Sequence, residues 1–128
     1  MTYYFSKTLN VDFGEAIVRV TEELKKEGFG ILTEIDVKET LKKKLNVDFK
    51  KYKILGACNP PLAYKSLQAE DKIGLMLPCN VLVQEISDGK TEVAAIDPVA
   101  SMQAIENPKL REVAEQVRAK LKKVIDSL

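Results

Sequence analysis

The chain has 128 residues, enough for one domain with its own core and no metal or disulfide staples. It is 45% apolar and 30% charged, and 20 Lys plus Arg against 19 Asp plus Glu leave a net charge of +1, the balance of an ordinary globular protein rather than a dedicated nucleic-acid binder. It has no His, which removes Ser-His-Asp and Cys-His nucleophiles, His-ligated zinc and an imidazole pH switch, and its two Cys are too few for a disulfide scaffold.

Residues 2–9 are rich in β-branched and aromatic side chains and read as a strand. Asp12 and Glu15 have capping-box spacing, and Phe13, Ala16, Ile17, Val20 and Leu24 follow as one helical stripe that Gly28 ends. Residues 29–35 form a second strand with Ile31, Thr33 and Ile35 on one face. Asp36 and Glu39 repeat the capping-box spacing before a short, lysine-rich helix over 37–45. Residues 52–58 are a third strand. Asn59-Pro60-Pro61 is an N-cap followed by proline in the first turn, so 60–69 is a helix with Ala63 and Leu67 on one face.

Residues 73–77 read as extended, and Pro78, which lacks an amide donor, breaks that segment. Val81 and Val83 alternate with Leu82, Gln84 and Ile86 along the next strand. Asp88-Gly89 predicts a type I′ turn into a return strand over 91–96, which Asp97-Pro98 ends. Residues 99–105 hold a short helical turn. Pro108 opens a long last helix with a stripe of Leu110, Val113, Val117, Leu121, Val124 and Ile125. The order β-α-β-α-β-α-β-β-α predicts a single α+β domain over 1–128, its helices packed on one sheet face.

Residues 36–53 hold seven Lys against three acids, and 109–128 are also basic, whereas 54–108 are acidic. Such runs read as solvated faces. Gly28-Phe29-Gly30 leaves a helix and enters a strand, the reverse of a dinucleotide loop, and has Thr33 where the third Gly belongs. The start of the chain lacks a basic, then apolar, leader pattern, so the expected compartment is the cytoplasm with both thiols reduced and no membrane association.

One pattern stands apart. Ala57-Cys58-Asn59-Pro60 lies at the end of a strand, and Pro78-Cys79-Asn80 lies where an extended segment breaks. Both set a Cys-Asn pair beside proline at a strand end, where rigid elements aim side chains. A helix starting at Pro60 turns its dipole toward Asn59 and Cys58, which favours an anion and a lowered thiol pKa. Packing alone also explains both cysteines, because Cys is among the most buried residue types. Two thiolates leave zinc short of its four ligands, while copper(I) accepts fewer and softer ones.

Gly56-Ala57-Cys58-Asn59-Pro60, then Ala63, Gly74-Leu75-Met76-Leu77-Pro78-Cys79-Asn80-Val81 and Asp97-Pro98 together resemble the uncharacterised-domain family numbered 302, over almost the whole chain. The resemblance implies a fold similar to the TATA-binding-protein-like α+β group, with a curved, mostly antiparallel sheet, a long C-terminal helix and a homodimer. It implies no activity.

Three functions fit these residues. The first is a binding or redox-linked module in which Cys58, Asn59, Pro60, Cys79 and Asn80 converge near Asp97 on a small anionic or thiol ligand or a soft metal. The second is a structural or interaction protein working through a homodimer surface. The third is a Cys-dependent enzyme assisted by Lys65 or a helix N-terminus. Nucleic-acid binding ranks last, because no aromatic-basic stripe occurs.

Overall fold

Five strands, β1 (Tyr4–Leu9), β2 (Gly30–Asp36), β3 (Tyr52–Cys58), β4 (Cys79–Ser87) and β5 (Lys90–Ile96), are interleaved with five helices in a computed structural model that describes residues 2–128. The helices are α1 (Phe13–Lys26), α2 (Val37–Leu45), α3 (Pro60–Ala69), α4 (Pro98–Ser101) and α5 (Pro108–Asp126). The strands form one open sheet in the order β1-β5-β4-β3-β2, and every pairing is antiparallel.

Local signals start the helices where the residues require. Asp12 Oδ1 accepts from Glu15 N at 2.8 Å, and Asp36 Oδ1 accepts from Glu39 N at 2.9 Å. Glu15 does not complete a capping box; its carboxylate pairs with Arg19, one turn on, at 3.2 Å. Asn59 and Asn107 cap α3 and α5, each with proline at the first helical positions.

The core lies between the helices and one face of the sheet. Ala16, Val20 and Leu24 of α1 and Leu121, Val124 and Ile125 of α5 pack with Leu55, Val81, Val83, Val93 and Ala95. A smaller cluster of Ile73, Met102, Leu110 and Ala114 closes the end where α5 begins.

The structure corrects three local expectations and adds to a fourth. Ile31 pairs with Ala57 on the helix-covered face, but the register shifts by one residue before Thr33, which pairs with Gly56. This bulge sends Thr33 and Ile35 to the open face, so the three do not share a side. On α3 Ala63 and Leu67 share a face as expected, but the residues buried in the core are Leu62 and Ser66 beside them, with Leu67 45% exposed. The Asn59 cap sets the helix phase so that Leu62, one turn in, meets the core, while Ala63 and Leu67 face the cavity beside it. Residues 71–76 wind into a 3-10 helix rather than extend. Both edges of β4 are already paired, so this segment has no strand to join, and it bonds i to i+3 instead. Finally, only Gly89 in the β4–β5 turn has a positive φ, and a register shift lies between Glu85 and Ser87. A type I′ turn needs positive φ at both central residues, so the connection is a bulged turn of another kind.

Candidate functional site

Strand pairing brings the two Cys-Asn motifs to one end of the sheet. β3 ends at Cys58 beside the start of β4, and Ala57 pairs with Cys79. Between these strand ends, α3 and α5 leave a cavity of about 280 Å³. Ala57, Cys58 and Cys79 border it from the sheet, Leu62, Ala63, Ser66 and Leu67 from α3, and Ala114 and Val117 from α5. Asn59, Leu77, Pro78 and Pro98 line its remaining edge with Met102. No Lys, Arg, Asp or Glu is among the lining residues.

Asn59 braces the site from two sides. Its Oδ1 accepts from Leu62 N at 3.4 Å, and its Nδ2 donates to Glu27 O at 3.1 Å. The second bond clamps the turn after α1 to the start of α3. Gly28 makes the clamp possible: its φ is +85°, and a Cβ there would stand 3.0 Å from Asn59 Nδ2. Ser66 is also committed, donating from Oγ to Leu62 O at 2.9 Å.

The α3 N-terminus has little to offer an anion. Pro60 and Pro61 carry no N–H, Leu62 N is taken by the cap, and Ala63 N donates to Asn59 O at 2.8 Å. The expected anion preference therefore lacks its donors.

The thiols differ from one another. Cys79 is buried and Cys58 half-buried, and both are free. Burial pushes the Cys79 thiol up to about 11, with the neighbouring Cys58 adding to the rise. Ala57, not Cys58, stands opposite Cys79, so the two cysteines are offset by one residue across the strand pair while both border the cavity. A disulfide needs two Cβ atoms that face each other, and the residue facing Cys79 across the ladder is Ala57. Mild oxidant is expected to leave both thiols titratable, and an alkylating reagent near neutral pH to take Cys58 well before Cys79. The raised Cys79 value also has a stability consequence. Folding holds that proton more tightly than the unfolded chain, whose thiol ionises near its ordinary value of 9.0. Its contribution is complete below about pH 9 and is lost as pH rises toward about 11. Urea midpoints across that window should fall more steeply for the wild-type chain than for Cys79→Ala.

The other candidate residues lie apart. Pro60 is exposed at the first position of α3 and does not border the cavity. Asn80 pairs with Gly56 and borders a groove on the open sheet face with Tyr52 and Leu82. Asp97 borders a neighbouring groove of about 660 Å³, one residue from Pro98 of the cavity wall. Its Oδ1 caps α4 through Val99 N at 3.0 Å, and its Oδ2 accepts from Arg118 Nε at 3.1 Å. Lys65 is exposed on α3 and does not border the cavity. The sequence reading missed Leu62, Ser66, Met102 and Ala114 as cavity walls. Ala114 extends the α5 stripe by one small residue, the only one of these signals visible in the periodicity.

Among the described residues, no group of three or more Cys, Asp or Glu could hold a metal ion, and no helix is long and apolar enough to cross a membrane. Residues 5–128 match the family described as Domain of unknown function DUF302. A solved structure described as the crystal structure of uncharacterized conserved protein DUF302 from Bacillus stearothermophilus is 30% identical to the chain, with a TM-score of 0.90 over 98% of each. No curated protein matches.

Proposed function

The chain belongs to the family described as Domain of unknown function DUF302, and since that membership carries no activity, we propose from the cavity itself that the protein binds a small, neutral, largely apolar ligand between α3 and α5. The observation that carries this reading is a space of about 280 Å³ with no charged side chain on its walls. Ligand pockets usually run from roughly 300 to 1,000 Å³, and an apolar cavity of about 150 Å³ already takes benzene. A bicyclic ring or a short acyl chain is the matching size. Asn59 and Ser66 spend their hydrogen bonds on the backbone, so the thiols of Cys58 and Cys79 are the soft groups left to meet a ligand. That favours a neutral, polarisable occupant over an anion, and binding over dithiol redox chemistry.

Indole serves as the test probe. At about ten times its Kd, it should slow alkylation of Cys58 roughly tenfold, and amide shifts should gather at Ala57, Ser66 and Val117. Ala63→Phe, which fills the space, should abolish both effects while keeping the fold. Unprotected Cys58 with shifts scattered elsewhere would reject the reading.

A homodimer surface is the second reading, and one observation favours it. The open sheet face carries Tyr4 at 42% and Ile35 at 48% exposure, beside half-buried Tyr52, Ile54 and Leu82. An uncovered apolar sheet face of this kind is what a second copy would bury. Sedimentation equilibrium of Leu82→Lys beside the wild-type chain tests it: a dimer that the substitution leaves intact would exclude this face.

A further inference from the structure

Ordinary burial is inverted at one corner of the molecule, well away from the cavity. Residues 42–51 are all exposed, and they include Leu45 at 66%, Val47 at 43% and Phe49 at 38%. The adjoining helix, α2, has no buried residue, so its packing against β2 and β3 does not account for these apolar side chains. Around them, residues 36–53 hold seven Lys against three acids.

The corner is an ordered receiver. Lys38 Nζ donates to Phe49 O at 2.8 Å, and Lys42 reaches Asp48 at 3.2 Å, tying the loop back to the helix. Between helix and loop lies a cleft of about 530 Å³ bordered by Val47, Phe49, Lys38, Lys42 and Lys43, and by three acids already engaged: Asp36 caps α2, Glu39 pairs with Lys43 and Asp48 with Lys42. Lys43 is paired with Glu39, but Lys44, Lys50 and Lys51 have no ion-pair partner among the described residues.

We propose that this corner docks an acidic, amphipathic peptide segment of a partner protein. Apolar side chains of the segment enter the cleft over Val47 and Phe49, and its carboxylates meet Lys44, Lys50 and Lys51. A concave cleft accepts side chains one at a time, which a lipid surface does not present. A nucleic acid would use the lysines and leave Leu45, Val47 and Phe49 in water. Lysine point charges suit loosely placed carboxylates, whereas bidentate recognition of phosphate favours Arg, which this corner lacks.

The probe is a fluorescent peptide of roughly a dozen alternating Glu and Leu residues, titrated with the full chain by anisotropy. Saturable binding is expected, weaker at high salt. Combined Lys44→Glu, Lys50→Glu and Lys51→Glu should raise Kd about tenfold or more, as should Val47→Ser, while Lys109→Glu on α5 changes nothing. Thermal midpoints accompany each variant, and Leu45→Ser replaces Val47→Ser if the latter lowers stability. Equal binding of poly-glutamate, tighter binding of phosphatidylserine vesicles or duplex DNA, or variants that bind like the wild-type chain would each overturn the proposal.

Discussion

Gly56→Ala is expected to destabilise the fold by roughly 2–3 kcal/mol, and Gly56→Val by more, the upper range for overpacking a buried site. Gly56 lies in the middle strand of three, paired with Thr33 on β2 and Asn80 on β4. A Cβ there would stand 2.1 Å from Thr33 Oγ1 and 2.7 Å from Pro78 Cγ. Neither atom can swing aside at little cost: one belongs to a β-branched side chain and the other to a closed ring. The bulge before Thr33 is what brings that hydroxyl over Gly56. Thr33→Ala should therefore recover part of the loss in the double variant, while the Pro78 contact keeps the rest. Urea midpoints for the four chains of this cycle measure both quantities. A Gly56→Ala chain as stable as wild type would show that β2 or the Pro78 turn can move freely, contrary to the close packing described.

Asp97 carries the second large effect. Asp97→Ala should cost about 2–4 kcal/mol and Asp97→Asn about 1 kcal/mol or less. The carboxylate is 8% exposed as a residue, and its Oδ1 accepts from Val99 N and Ala100 N. Asparagine keeps that cap through its carbonyl oxygen. What it loses is the ion pair with Arg118, whose side chain is 44% exposed and also rests over the Phe5 ring at 5.2 Å. A half-exposed partner is screened by water and contributes little. Alanine removes the cap as well and leaves two amides without their acceptor at the start of α4. Thermal unfolding of the two variants separates these terms. Equal losses would mean that the Arg118 pair, not the cap, holds α4 in place.

Helix starts were legible because Asp12, Asp36 and Asn59 act over three residues, and the structure shows each accepting from the amide three residues on. The α5 stripe was legible because its seven buried positions repeat at one period. The bulge after Ile31 was not, since Leu32 looks like any strand residue until its partner strand is known. The same holds for residues 71–76, whose apolar content suits a strand but which have no free strand edge beside them. At the site, the motif spacing drew attention to Cys58, Asn59 and Cys79, which border one cavity. Asn80 carries the same motif but sits one residue past Cys79, and strand alternation turns it to the open face. The walls that set the chemistry, Leu62, Ser66, Met102 and Val117, come from α3, the end of α4 and α5, and of these only Val117 falls in a stripe visible in the sequence.

Occupancy of the cavity between α3 and α5 is most directly measured by diffraction from crystals held under xenon, a neutral, polarisable atom that marks apolar space. The prediction is a strong site bounded by Leu62, Cys79 and Val117, lost in Ala63→Phe crystals. Xenon absent from that space, or bound only on the open face beside Tyr52 and Leu82, would contradict a ligand cavity at the two cysteines.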